Sequence, residues 1–260
     1  MRKQPDQIQR QARRLAKQQT HLEKQLELET KIVPRSRMVR LQDIEVLEPL
    51  TDTQTDFFNS YEEGTKDAFV LFGSAGTGKT TLAMYHAIID VMTQESGFDK
   101  LIIIRSSVQS RDQGFLPGDM DEKMAAFEAP YIQIMTKLTG KKDAYEKLKD
   151  CGKIEFHSTS FLRGVSFDNS IVIVDECQSM GLHEIDTIAT RVGKHSKIIF
   201  CGDGNQDDLI RDKNDASGFR DFIAIAKNMR EFDLFRFTSD DIVRSGFVKS
   251  WIITREKLGI

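Results

Sequence analysis

Long hydrophobic runs are missing from this 260-residue sequence: the longest are four or five residues, far short of the roughly twenty a membrane-spanning helix needs. The N-terminus is basic and glutamine-rich and has no apolar stretch, which argues against a secretory signal. Cysteine is scarce. Cys151, Cys177 and Cys201 are scattered without metal-ligand spacing, which argues against a zinc site and a disulfide scaffold and fits a reducing, cytoplasmic setting. All three read as small buried residues. A large excess of one charge is also absent. The net charge of −3 excludes a chain that binds nucleic acid through overall basicity. No internal repeat or low-complexity tract is visible.

What is present suits one large domain or a domain with an appendage, with 39% hydrophobic residues available for a core. The basic charge gathers at the start. Residues 1–40 carry Arg2, Lys3, Arg10, Arg13, Arg14, Lys17, Lys24, Lys31, Arg35, Arg37 and Arg40 against Asp6, Glu23, Glu27 and Glu29, and leave the remainder acidic. From Asp6 to Thr30 the residues favour a helix. Ile8, Ala12, Leu15, Leu22 and Leu26 form a thin apolar stripe on it. Three readings stay open: a solvated arm, a helix packing on a neighbouring subunit, or a basic arm touching nucleic-acid phosphates. The expected division is a helical arm and linker over 1–45 and a catalytic domain over 46–260.

The organising motif is Gly73-Ser74-Ala75-Gly76-Thr77-Gly78-Lys79-Thr80, followed by Thr81. The apolar run Ala68–Phe72 before it reads as a buried strand. Leu82, Ala83, Ala87, Ile88 and Val91 after it have helical period. Strand, glycine loop and helix together make a phosphate-binding loop. Glycines let successive N–H groups converge on one anion, and the helix start adds its positive end. Lys79 suits the β- and γ-phosphates and Thr80 suits Mg²⁺. The ligand expected over 73–81 is ATP with Mg²⁺.

The remaining chain supplies candidates for the rest of such a site. Thr51 or Asp52 is placed to cap a short helix carrying Phe57 and Phe58 inward. Gln54, about twenty residues before the loop, suits a bidentate contact to adenine; a surface glutamine is the plainer reading. Leu101–Ile104 and Ile171–Val174 are continuous apolar runs, as expected of parallel strands covered on both faces. The second ends in Asp175-Glu176, about ninety residues after the loop. Asp175 would hold the Mg²⁺ shell and Glu176 would take a proton from the attacking water. Lys197–Cys201 reads as another strand, ending in Gly202-Asp203-Gly204-Asn205-Gln206, where Gln206 is a candidate γ-phosphate sensor and a plain loop the alternative. A helix bearing Phe127, Tyr131, Ile134, Met135 and Leu138, with Pro130 inside it, precedes a polar helix over 143–149. Ser239 is expected to cap a final helix with Arg244 in its first turn, an unfavourable place for a cation unless it serves a phosphate.

These motifs resemble the PhoH-like family of P-loop ATPases, relatives of the superfamily 1 helicase motor. The resemblance runs from about Thr51 to Val248. It rests on Gly76–Thr80, Gly114-Phe115-Leu116-Pro117-Gly118-Asp119, Arg163-Gly164, Val174-Asp175-Glu176, Thr190-Arg191-Val192-Gly193, Gly202-Asp203 with Gln206, and Asp241-Ile242-Val243-Arg244. It implies a RecA-like α/β core with a mostly parallel sheet flanked by helices. It also implies ATP hydrolysis, assembly as a homo-oligomeric ring expected to be a hexamer, and Arg244 as the first choice for an arginine reaching a phosphate, ahead of Arg191 and Arg163. The sequence departs from the family at Cys177 and Ser179, and at Ser106 after Arg105. No acidic PIN-like block precedes the core and about ten residues follow Val248, so neither a PIN nuclease nor a second motor core is expected. The leading expectation is a helicase-like ATPase acting on single-stranded RNA or DNA. The alternative is an ATP-gated ring with slow hydrolysis, motivated by the acidic core; a small-molecule kinase fits the acid pair less well.

Overall fold

The computed structural model describes residues 38–106, 120–159, 162, 166–204 and 218–258, with side chains in the helix after 120 described from residue 125. The chain divides into Met1–Met38 and Val39–Ile260. The arm expected over residues 6–30 lies outside the described residues.

Among the described residues the second unit is built on six strands: β1 (Ala68–Gly73), β2 (Lys100–Arg105), β3 (Ile154–Ser158), β4 (Ser170–Asp175), β5 (Lys197–Asp203) and β6 (Phe232–Phe237). They lie in the order β3-β2-β4-β5-β1-β6, and every pairing is parallel. The helices are α1 (Asp52–Glu63), α2 (Lys79–Met92), α3 (Met120–Thr139), α4 (Ala144–Asp150), α5 (Leu182–Ala189), α6 (Phe219–Lys227) and α7 (Gly246–Leu258). Alternate strand residues point to opposite faces, and both faces are covered. Phe69, Leu71, Ile103, Ile173 and Ile199 pack with α1 to α4 on one side. Val70, Phe72, Ile104, Val172, Val174 and Phe200 pack with α5 and α6 on the other. Each fully buried large side chain contributes roughly 1.5–3 kcal/mol, which is why the strands read as unbroken apolar runs.

The expected helix start at Thr51 is present: its hydroxyl accepts the Gln54 N–H at 3.3 Å. Gly64, at φ 65°, closes the helix, and Phe57 and Phe58 are buried. In α3, Tyr131, Met135 and Leu138 are buried next to Pro130. No helix among the described residues is long and apolar enough to cross a membrane.

Three local expectations change. Helix α4 is not merely polar: it buries Ala144, Tyr145 and Leu148. The three join the core beneath α1 to α4, and the buried Glu128 of α3 takes the Tyr145 hydroxyl and the Lys149 ammonium at 2.8 and 2.7 Å. At the C-terminus, Thr238 rather than Ser239 is the cap, and it caps only a 3-10 turn over Ser239–Asp241. The final helix starts at Gly246, so Arg244 precedes it and the electrostatic objection to a cation in its first turn falls away. Finally, Cys177 and Cys201 are buried but Cys151 is exposed, at the end of α4.

Because the sheet is parallel, the strands all end on one edge. Register sets Gly73 beside Asp203 and Phe237, and Arg105 beside Asp175. Strand β5 separates the glycine-loop strand from the acidic strand. Ligands of open α/β sheets bind at this carboxyl edge.

Candidate active site

The chain leaves β1 in a loop that glycine alone permits. A Cβ on Gly73 would lie 1.9 Å from the Phe237 carbonyl oxygen, the same oxygen that accepts the Ser74 N–H at 3.0 Å. Gly78, at φ 88°, delivers the chain directly into α2. Inside the loop the buried Thr77 hydroxyl donates to the Ser74 carbonyl at 3.1 Å. Lys79 is buried too. Its ammonium meets the Gly73 and Ser74 carbonyls at 3.2 and 2.8 Å, Thr77 Oγ1 at 3.3 Å and Asp203 Oδ1 at 2.7 Å.

The acidic strand delivers Asp175 beside this helix start. Its Oδ1 accepts the Thr80 hydroxyl at 2.9 Å and its Oδ2 accepts the Tyr131 hydroxyl at 2.8 Å. Burial, and then the neighbouring Glu176, raise the Asp175 carboxyl above its ordinary value, while the two hydrogen bonds pull the other way. Burial and the Asp175 charge hold the Tyr131 phenol well above its usual value, so it remains a donor. Glu176 adopts φ 55°, a left-handed conformation costing about 1–2 kcal/mol for a residue with a side chain. That turn brings Oε2 to Gln178 Nε2 at 2.6 Å and Oε1 to within 3.9 Å of the Arg105 guanidinium. Gln178 Oε1 in turn accepts the Asp203 N–H at 3.0 Å. One chain of contacts therefore joins the loop lysine, the tip of β5 and Glu176.

Of these groups, Lys79, Thr80, Arg105, Asp175, Glu176 and Asp203 line a cleft of about 450 Å³ with Gly76, Gly78, Thr81, Leu50, Ile134, Lys137 and Val243. Gly73, Ser74 and Thr77 are buried behind it, and Ala75 is half-buried. Gln54 also lines it, but its amide is largely committed to the protein. Nε2 donates to the Thr77 carbonyl at 3.0 Å and Oε1 accepts the Leu50 N–H at 2.8 Å. One N–H and one lone pair remain for a base. Arg244 lines the cleft from the C-terminal segment, which docks on the loop through the Val243 N–H and the Gly76 carbonyl at 3.2 Å. Arg191 does not line it: its Nε donates to the Leu162 carbonyl at 2.6 Å. Gln206, Arg163 and the segment 114–119 lie outside the described residues.

The donor set fits the expected ligands. Thr80 and Asp175 offer hard oxygens side by side, as Mg²⁺ prefers, and among the described residues no lysine or arginine forms an ion pair with Asp175. A helix start behind a glycine turn fits a phosphate. Sequence reasoning did not assign Tyr131, Asp203 or Gln178 to the site. Tyr131 reads as core because its spacing is that of an apolar helical face. Only the Asp203 and Gln178 positions, at or just past strand tips, signalled more.

Comparison with known proteins agrees with these motifs. A family model described as PhoH-like protein matches residues 46–255. Protein PhoH2 of Bacillus subtilis (strain 168) is 36% identical over 145 residues, 53% of this chain and 32% of that protein. Protein PhoH of Escherichia coli (strain K12) is 31% identical over 183 residues, 70% of this chain and 51% of that protein. The chain thus spans about a third and about half of these relatives. Among solved structures, the large terminase of the thermophilic bacteriophage D6E is similar with a TM-score of 0.48 at 13% identity, over 78% of this chain and 50% of that one.

Proposed function

The chain belongs to the PhoH-like family, and from that premise we propose that it binds ATP with Mg²⁺, hydrolyses it, and couples hydrolysis to single-stranded RNA or DNA. The observation that supports the ATP-hydrolysing part of this reading is the grouping of four residues at the carboxyl edge. Thr80 and Asp175 are hydrogen-bonded at 2.9 Å, Glu176 follows Asp175, and buried Lys79 precedes Thr80 at the start of α2. The loop N–H groups and Lys79 receive the phosphates. Thr80 and Asp175 would hold Mg²⁺, whose charge would offset that of the phosphates. Tyr131 fixes Asp175 from behind. Glu176 accepts the proton of the attacking water, a role worth typically 10²–10⁴-fold, while Arg105 and Gln178 set where its carboxylate points.

The test of the motor reading is the steady-state ATPase rate measured with and without single-stranded RNA and DNA. Stimulation by one of them is expected. A rate indifferent to both, with no strand separation, removes the motor and leaves the second reading, an ATP-gated homo-oligomeric ring of hexamer type with slow hydrolysis. One observation favours that alternative: Phe247 and Trp251 on α7 are 77% and 65% exposed, just after Arg244, and apolar surface of this kind suits a subunit contact. In either case Arg244→Ala is expected to retain ATP binding and lower turnover.

A further inference from the structure

The ion pair between Lys79 and Asp203 is not needed to form the glycine loop. Two carbonyls and the Thr77 hydroxyl already offer acceptors for the three ammonium protons. They are neutral, however, and a buried cation with only neutral partners is costly. Among the described residues Asp203 supplies the single anionic contact, at 2.7 Å. It does so from the open side of the cleft: its side chain is 47% exposed, against 6% for Lys79. Its main chain is pinned, by register with Gly73 and by the Asp203 N–H to Gln178 Oε1 hydrogen bond at 3.0 Å. Only the carboxylate is therefore placed to move.

We propose that Asp203 is an exchangeable counter-anion for Lys79, occupying the ammonium that a nucleotide phosphate must claim and so weakening the hold on di- and triphosphates alike. The proposal rests on the nucleotide-binding reading above. An incoming phosphate meets an ammonium already neutralised and a carboxylate of its own sign beside it. Binding then requires the Asp203 carboxylate to turn out to water, which its exposure makes inexpensive. The arrangement favours release of the product diphosphate. It also gives the β5 tip a direct link to Glu176 through Gln178.

The test is calorimetric titration of ADP into the full chain and its Asp203→Asn and Asp203→Glu variants, each with Mg²⁺ and with a chelator. Asp203→Asn is expected to bind ADP roughly three- to tenfold more tightly in both conditions, the size expected of one partly exposed charge pair. Asp203→Glu should return towards the parent. The gain should shrink at high salt, which a merely structural change would not produce. Equal or weaker ADP binding by Asp203→Asn overturns the proposal, and weakening confined to the Mg²⁺ arm would instead assign Asp203 to the metal shell. Failure of the parent itself to bind ADP or ATP would sink the nucleotide-binding reading and this inference with it. Binding by the parent with no gain in the variant removes the inference alone.

Discussion

Two walls line the cleft, and they are built by different means. One is made of strand tips and the loop they support: Lys79, Thr80, Asp175, Glu176 and Asp203. Lys79 pairs with Asp203, Thr80 with Asp175 and Glu176 with Gln178, and the strand tips are placed by sheet register. The other is assembled from distant pieces of chain: Leu50 and Gln54, Ile134 and Lys137 of α3, and Val243 and Arg244 before α7. Its polar contacts run mostly to backbone, as Gln54 shows. The contrast separates roles. The strand-tip wall, the exposed Asp203 carboxylate apart, is placed for chemistry, whereas the loop wall, apart from Arg244, is suited to gripping the remainder of the ligand.

Substitutions can break or sharpen that contrast. The largest effect on nucleotide affinity is expected for Lys79→Ala, which removes the charge-assisted contacts of the strand-tip wall. Nucleotide affinity should fall roughly 10²-fold, the scale of a lost charged hydrogen bond. Nucleotide binding by the variant at parent affinity would mean the loop is not the anchor.

Asp175→Asn should separate stability from activity. Burial raises this carboxyl, so the folded state holds its proton more readily than the unfolded chain does. Whatever that group contributes is therefore present at low pH and lost as pH rises through the folded value, and at neutral pH its ionised form is a cost. The neutral amide should raise stability by about 1 kcal/mol, or roughly 2–4 °C in Tm for a chain of this size, while abolishing Mg²⁺-dependent hydrolysis. A melting temperature below the parent's would show that the Thr80 and Tyr131 hydrogen bonds outweigh desolvation.

On the loop wall, Gln54→Ala should be milder. It frees the Thr77 carbonyl and the Leu50 N–H, and nucleotide affinity should weaken about tenfold with turnover at saturation little changed. A fall in saturated turnover equal to the fall in affinity would place Gln54 with the chemistry and erase the distinction between the walls.

The same contrast governs what the sequence discloses. The strand-tip wall is legible because each part is local: an apolar run fixes a strand, and its last residues are delivered to the carboxyl edge. Asp175 and Glu176 are placed that way, as are Lys79 and Thr80 at the start of α2. Tyr131 was not assigned to the site because its hydroxyl meets a carboxylate 44 residues further on, and its helical spacing is that of an ordinary core residue. The Lys79–Asp203 pair depends on β5 lying next to β1, and strand order has no local signature. Arg244 was expected on a helix because Ser239 is a good cap. Thr238, one residue earlier, closes its own box with Asp241 instead, and the chain does not become helical until Gly246.

The central claim is that Glu176 performs the hydrolytic step on a nucleotide held independently of it. Its most direct test is Glu176→Gln, with ATP binding and single-turnover hydrolysis measured on the same preparation. The expected result is binding within a few-fold of the parent and hydrolysis slowed roughly 10²–10⁴-fold. Hydrolysis at the parent rate would contradict the account.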